Sequence, residues 1–202
     1  PSELKNTVFT FDNNNFKQIL KLSNNHDLAA IKLEVTRNDD TSKIFLKKLR
    51  KLPDKKKIVL IFDECTSGFR ETFGGLHLKY KVKPDVCILG KALGNGFPIT
   101  AILGKRNIME NAQTTFISST FWTERSGYVA ALKTLELMEK IKSWEIITKQ
   151  GVKIKKMLKK IADKNKIKLQ VSGLDACPSY NIISKDWLYL KTIITQELLK
   201  EK

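Results

Sequence analysis

Two polar residues sit where the pattern of the chain makes a charge costly. Asp63 closes the apolar run Ile58-Val59-Leu60-Ile61-Phe62, and Lys91 follows Ile88-Leu89-Gly90. A carboxylate at the end of a buried strand is expensive to ionise without a partner. A lysine is rarely buried unless it is paired or modified. In chemical terms the two are a proton holder and an amine that can attack a carbonyl carbon. Each also has a plain reading: the aspartate as a helix cap or salt-bridge partner, the lysine as a surface residue. Lys91 lies in Gly90-Lys91-Ala92-Leu93-Gly94-Asn95-Gly96, whose glycines permit tight turns and close approach of a ligand. The order required of a Walker-type phosphate loop is absent.

The elements that must position these residues read as an alternation of strands and helices. Phe16 to Leu22 and Ser42 to Leu52 carry helical periodicity, the second with Ile44, Phe45, Leu49 and Leu52 on one face, and Pro53-Asp54 is expected to break it. Leu28 to Val35 and Lys57 to Asp63 read as strands, the latter as one buried on both faces in a parallel sheet. Asp85 to Leu89 and Ile99 to Leu103 follow as short strands around the 90–98 loop, and Phe116 to Ser119 as a strand end. Beyond these, Glu124 to Ile141 is helical through Val129, Leu132, Leu135 and Met138, and helices continue from Trp144 to Asn165. Ile167 to Val171 is a candidate strand, and Trp187 to Leu199 a last helix. The fold class is therefore α/β, with residues 1–142 leading into a smaller α+β domain from 143 to 202.

Composition narrows the function classes. A 202-residue chain with 42% hydrophobic residues can bury a core. No apolar run is long enough for a membrane span. Three widely spaced cysteines, Cys65, Cys87 and Cys177, argue against a disulfide framework and a zinc site, so no metal is expected and a cytoplasmic location is. The net charge of +16 comes mostly from lysines spread over helical stretches, without the aromatic interleaving of a single-strand binder. A specific nucleic-acid partner is not expected. The start at Pro1-Ser2-Glu3-Leu4 and the end at Glu201-Lys202, inside a helical pattern, suggest a partial chain.

Three separated motifs carry a resemblance. Asp63-Glu64-Cys65-Thr66-Ser67-Gly68-Phe69-Arg70 is followed by Pro84-Asp85 and Gly90 to Pro98, then by Ser118-Ser119-Thr120-Phe121-Trp122-Thr123-Glu124-Arg125. In order and spacing, including the 28 residues from Asp63 to Lys91, they resemble the class III aminotransferases, pyridoxal-phosphate (PLP) enzymes of fold type I, and among them the glutamate-1-semialdehyde aminotransferase type. The resemblance implies that residues 1–142 are part of the large PLP-binding domain. It implies that Lys91 holds the cofactor aldehyde as a Schiff base, and that Asp63 keeps the ring nitrogen protonated. It gives Thr120, with Ser119 beside it, to the cofactor phosphate of a neighbouring subunit in a homodimer. Glu64 reads as structural, bonding backbone around the strand end, and Arg70 as a salt-bridge partner. Thr66 stands where many members carry Gln or Met near the phenolic oxygen. Glu34 is followed by Val35 where the family has proline, which leaves it without an assigned role.

The implied substrates are small amines and keto or aldehyde compounds, in amino transfer between molecules or in a 1,2-transfer within one. Trp122 to Arg125 departs from the small-residue pattern of the semialdehyde enzymes, pointing to another substrate such as a sugar or a carboxylate-bearing intermediate. The family's phosphate-cradling loop and stacking aromatic lie upstream of the matched motifs, and Thr36 to Thr41 has no glycine to supply the loop. Weak or no retention of PLP by this chain alone is therefore expected. The alternative is a catalytically incomplete fragment or remnant lacking the phosphate-binding half of the site.

Overall fold

The computed structural model describes residues 5–36 and 41–201, and of Asp54 the backbone alone. The opening Pro1 to Leu4 and residues 37–40 of the glycine-free stretch lie outside the described residues.

Helix α1, Phe16–Asn25, starts where the Asn15 side chain accepts the Gln18 N–H at 3.2 Å. Strand β1, Ala30–Glu34, leads to helix α2, Lys43–Lys56, which Ser42 caps by accepting the Ile44 and Phe45 N–H groups. The buried stripe of α2 is Phe45, Leu46, Leu49 and Leu52; Ile44, expected on it, is 67% exposed. Ile44 lies off the row that the positions four and seven beyond Phe45 define. Pro53 does not break the helix either. It lies near the end, so one intrahelical bond is lost, and its carbonyl accepts the Lys57 and Ile58 N–H groups that close the last turn.

Strand β2, Val59–Asp63, pairs in parallel with β1 and with β3, Val86–Leu89; β4, Ala101–Gly104, closes the sheet antiparallel to β3. The order is β1-β2-β3-β4. Between β2 and β3 lies a single turn, α3, His77–Tyr80. Leu60 and Phe62 are fully buried with Phe45, Leu49 and Leu76, whereas Val59, Ile61 and Asp63 are only half-buried. β2 is thus sealed on one face, not on both as expected. The helical core residues cluster with the Leu60 and Phe62 side, and the alternation of a strand sends the others away from them.

After β4 come α4, Arg106–Met109, and a 3₁₀ turn over Glu110–Thr114. No strand forms at 116–119: the chain there has no regular structure and joins neither sheet, and Phe116 is 93% exposed. Helix α5, Arg125–Ile141, begins at Glu124, whose carboxylate accepts the Ser126 N–H. Its inner face is Gly127, Ala131, Leu135 and Met138; Val129 and Leu132, expected inside, are exposed. Small residues win the inner face because α5 lies close to the loop before β4. A Cβ on Gly127 would come within 3.3 Å of Ile99.

Helix α6, Ser143–Lys164, then packs on a hairpin of β5, Leu169–Leu174, and β6, Cys177–Ile182. Residues 177–182, with Pro178 and little apolar alternation, gave no strand signal in the sequence. Gly151 of α6 lies against the hairpin turn, where a Cβ would collide with the Asp175 carbonyl. Helix α7, Trp187–Lys200, ends the described chain, and no described helix is long and apolar enough to cross a membrane. Among the described residues, the hairpin is tied to the larger sheet through Leu174 and Glu71. Leu174 enters the core around Leu60, and the buried Glu71 carboxylate accepts the Asp175 N–H at 2.6 Å.

Candidate active site

The parallel sheet brings Asp63 and Lys91 to the carboxyl ends of neighbouring strands. Asp63 is in register with Ile88, and Lys91 follows three residues later. That edge is where ligands of α/β sheets are held. Between the two lies the Cys65-Thr66 turn. The Cys65 N–H donates to Asp63 Oδ1 at 3.2 Å, and Lys91 Nζ donates to Thr66 Oγ1 at 2.6 Å. Gly90 permits this closeness: a Cβ there would meet Cys65 Sγ and Thr100 Cγ2, each at 3.2 Å. Lys91 itself has φ +46°, in the left-handed region that costs a β-carbon residue energy. Such backbone is retained where the surroundings fix it, often at sites that work.

Electrostatics ties the cluster together. Burial pushes the Asp63 carboxyl up, but its bonds to Lys32 and to the Cys65 N–H outweigh this, so its pKa is lowered and the carboxylate is ionised near neutrality. The Cys65 thiol is pushed up by burial and by Asp63, against the pull of Lys91 and Lys32, and stays protonated. Lys32 was not singled out in the sequence. It reaches from β1, where it pairs with Ile61, and its Nζ lies 2.9 Å from Asp63 Oδ2. A lone lysine in Ala29-Ala30-Ile31-Lys32-Leu33 is the only trace, and the register that aims it at Asp63 is a tertiary fact.

The other expected residues fall as follows. Glu64 is fully buried and accepts the Leu76 and His77 N–H groups, with Ser67 and His77 Nδ1 also bonded to it, the structural role expected of it. Cys87 lies close enough that Glu64, His77 and Cys87 form one cluster of potential ligands. Glu64 is already taken by four donors, and burial lifts the Cys87 thiol to about 12, which suits a hydrogen-bond network rather than an ion. Arg70 makes no salt bridge among the described residues, contrary to expectation, and its Nε is buried without a partner. The nearest carboxylate in sequence, Glu71, is engaged with Lys79 and the 175–176 backbone. Ser119 and Thr120 lie in the exposed stretch before α5, and no hydrogen bond joins either side chain to Asp63 or Lys91.

An ionised carboxylate, an amine and a hydroxyl around one strand end fit the polar groups of a pyridoxal ring: its basic nitrogen, its aldehyde and its phenolic oxygen. The narrow gap that Gly90 keeps open beside Cys65 leaves Lys91 close to the Asp63 turn.

Comparison with known proteins agrees with this chemistry. The family model for class III aminotransferases matches residues 14–192. The chain is 31% identical over 196 residues to 3-aminobutyryl-CoA aminotransferase of Cloacimonas acidaminovorans, covering 92% of this chain and 47% of that protein. It is 35% identical over 156 residues to glutamate-1-semialdehyde 2,1-aminomutase of Saccharolobus islandicus, covering 74% and 37%. It thus spans about half the length or less of these relatives. Among solved structures, the PLP internal aldimine form of the FumI protein of Sphingopyxis sp. MTA144 superposes with a TM-score of 0.82 at 21% identity, over 89% of this chain and 45% of that one. An omega-transaminase from Sphaerobacter thermophilus gives 0.79 at 24% identity, over 90% and 43%. These likenesses establish the fold type I architecture. With the family model matched over most of its length, the chain belongs to the class III aminotransferases.

Proposed function

We propose that the protein catalyses PLP-dependent amino-group transfer, with Lys91 as the residue that takes the cofactor aldehyde and Asp63 as the partner of the ring nitrogen. The observation that carries this is the placing of Lys91 and Asp63 on either side of the Cys65-Thr66 turn, at the ends of adjacent parallel strands. When bound, PLP supplies an aldehyde that condenses with amines and a ring that accepts electrons from the substrate carbon.

The chain's own groups then have separable tasks. Asp63, ionised, would accept a hydrogen bond from the protonated ring nitrogen and so keep the proton on that end of the ring. Lys91 would hold the cofactor aldehyde through its amine, and when that amine is free it would be the group that moves a proton at the substrate α-carbon. Thr66, already the acceptor of the Lys91 amine, orients that amine when it is free. Thr120, with Ser119, is assigned to the cofactor phosphate of a second subunit. Their exposure, and the apolar outer stripe of α5 at Tyr128, Val129 and Leu132, support a homodimer. A division near residue 142 is supported by the end of α5 at Ile141 and by the separate β5–β6 sheet. Small amines and keto or aldehyde compounds are the substrates, and a cytoplasmic setting suits three free cysteines. Transfer between molecules and 1,2-transfer within one draw on the same residues.

The test is a spectroscopic titration of the chain with PLP. A weak, saturable absorbance band of the lysine adduct is expected for the wild type and is lost in Lys91→Ala. In Asp63→Asn the band persists but moves, because the ring nitrogen loses its anion. An equal band in Lys91→Ala overturns the assignment.

A further inference from the structure

Beside the Lys91 turn a cavity of about 420 Å³ opens toward the junction of α5 and α6. Phe69, Met138 and Ile147 give it apolar walls, and Arg70, Lys91 and Ser143 line it with polar groups. Two of these are orphaned. Arg70 Nε and Ser143 Oγ are both buried, and neither has a hydrogen-bond partner among the described residues. Buried donors in native proteins are nearly always satisfied, so a pair of unpaired ones on one cavity asks for a ligand. No carboxylate lines the cavity, although two cations do. Glu71, next to Arg70 in the chain, is engaged elsewhere, and Glu145 in the first turn of α6 is exposed and outside the lining. The missing partner is therefore an anion.

We propose that this cavity is a subsite for a small carboxylate, received by the Arg70 Nε edge and the Ser143 hydroxyl. A carboxylate has two coplanar oxygens, which one edge of a guanidinium matches and a hydroxyl supplements. Its hydrocarbon part finds the Phe69, Met138 and Ile147 walls. A phosphate would bring further charged oxygens against the apolar walls, with only the Asn95 amide and the Lys91 amine, already bonded to Thr66, left to meet them. The position next to Lys91 makes this the place for the carboxylate of an amine substrate. That role rests on the function proposed above; the binding does not.

The test is an NMR titration of the chain, without cofactor, with butyrate and separately with inorganic phosphate. Butyrate is expected to shift the Arg70 Nε–H and the Ser143 amide resonances saturably, and more tightly than phosphate. Arg70→Lys keeps the charge but loses the fork, and is expected to weaken butyrate about tenfold or more. Ser143→Ala is expected to weaken it about threefold and serves if the arginine variant does not fold. No saturable shift, phosphate binding tighter than butyrate, or undiminished affinity in the folded variants overturns the proposal. Because no PLP is present, a failed cofactor titration leaves this result standing, and a failed butyrate titration leaves the Lys91 adduct standing.

Discussion

At the scale of residues, Lys91 combines two demands that pull against each other. Its side chain must reach the Cys65-Thr66 turn, while its backbone sits at φ +46°. Asparagine tolerates that backbone better than alanine does. Lys91→Asn is therefore expected to be more stable than Lys91→Ala by about 0.5–1 kcal/mol in urea unfolding, with neither forming the PLP adduct. Equal stabilities would show that the backbone relaxes once the lysine is gone. Asp63 was legible in the sequence because it interrupts an apolar pattern where burial penalises charge, and it is half-buried; Lys91 was singled out on the same ground, but it lies exposed, because the glycine-rich turn after β3 carries it out of the core. Lys32 was not, since its partner is chosen by the offset of two parallel strands. The orphaned Arg70 was misread for a related reason: whether a carboxylate is free to meet it depends on where Glu71 is drawn by the distant hairpin.

At the scale of elements, the sheet is pinned by a residue whose identity alone says little. Asp85 precedes β3, and its side chain is 5% exposed. It accepts the Leu60 N–H of β2 at 2.8 Å, and it pairs with Arg50 of α2 at 2.9 Å and with Lys105 after β4 at 2.7 Å. Burial raises its pKa, but Lys105, the Leu60 N–H and Arg50 outweigh burial and leave it lowered. A lowered folded pKa stabilises the fold fully above the unfolded value, near about 3.9, and the contribution fades as pH falls through the folded value. Asp85→Asn is expected to destabilise the protein by about 3 kcal/mol between about pH 6 and 8. The gap to the wild type should narrow below about pH 4, as thermal melts over pH would register. A gap that does not change with pH would mean that the charge is not what Asp85 contributes. Most elements could be read from periodicity, but the inner face of α5 could not. It carries two apolar stripes, and the smaller one, Gly127 and Ala131, faces the sheet because close packing favours it over Val129 and Leu132.

At the scale of the whole molecule, the sheet places an amine and a carboxylate at one edge, and the β5–β6 hairpin is tied to the sheet's core. Glu71 and Leu174 make that junction, while Gly151 sets how closely α6 lies on the hairpin. The α/β class followed from alternating strands and helices, whereas β6 and the open face of β2 are products of assembly and left no mark in the local pattern. The central claim is that one ring is held between Lys91 and Asp63, and it is tested most directly by trapping. Adding PLP, reducing with borohydride and mapping the labelled peptides asks which of the chain's many amines the aldehyde selects. The pyridoxyl group is expected on Lys91 above all others, with that preference reduced in Asp63→Ala. A label spread evenly over surface lysines, or centred on Lys32, would contradict the account.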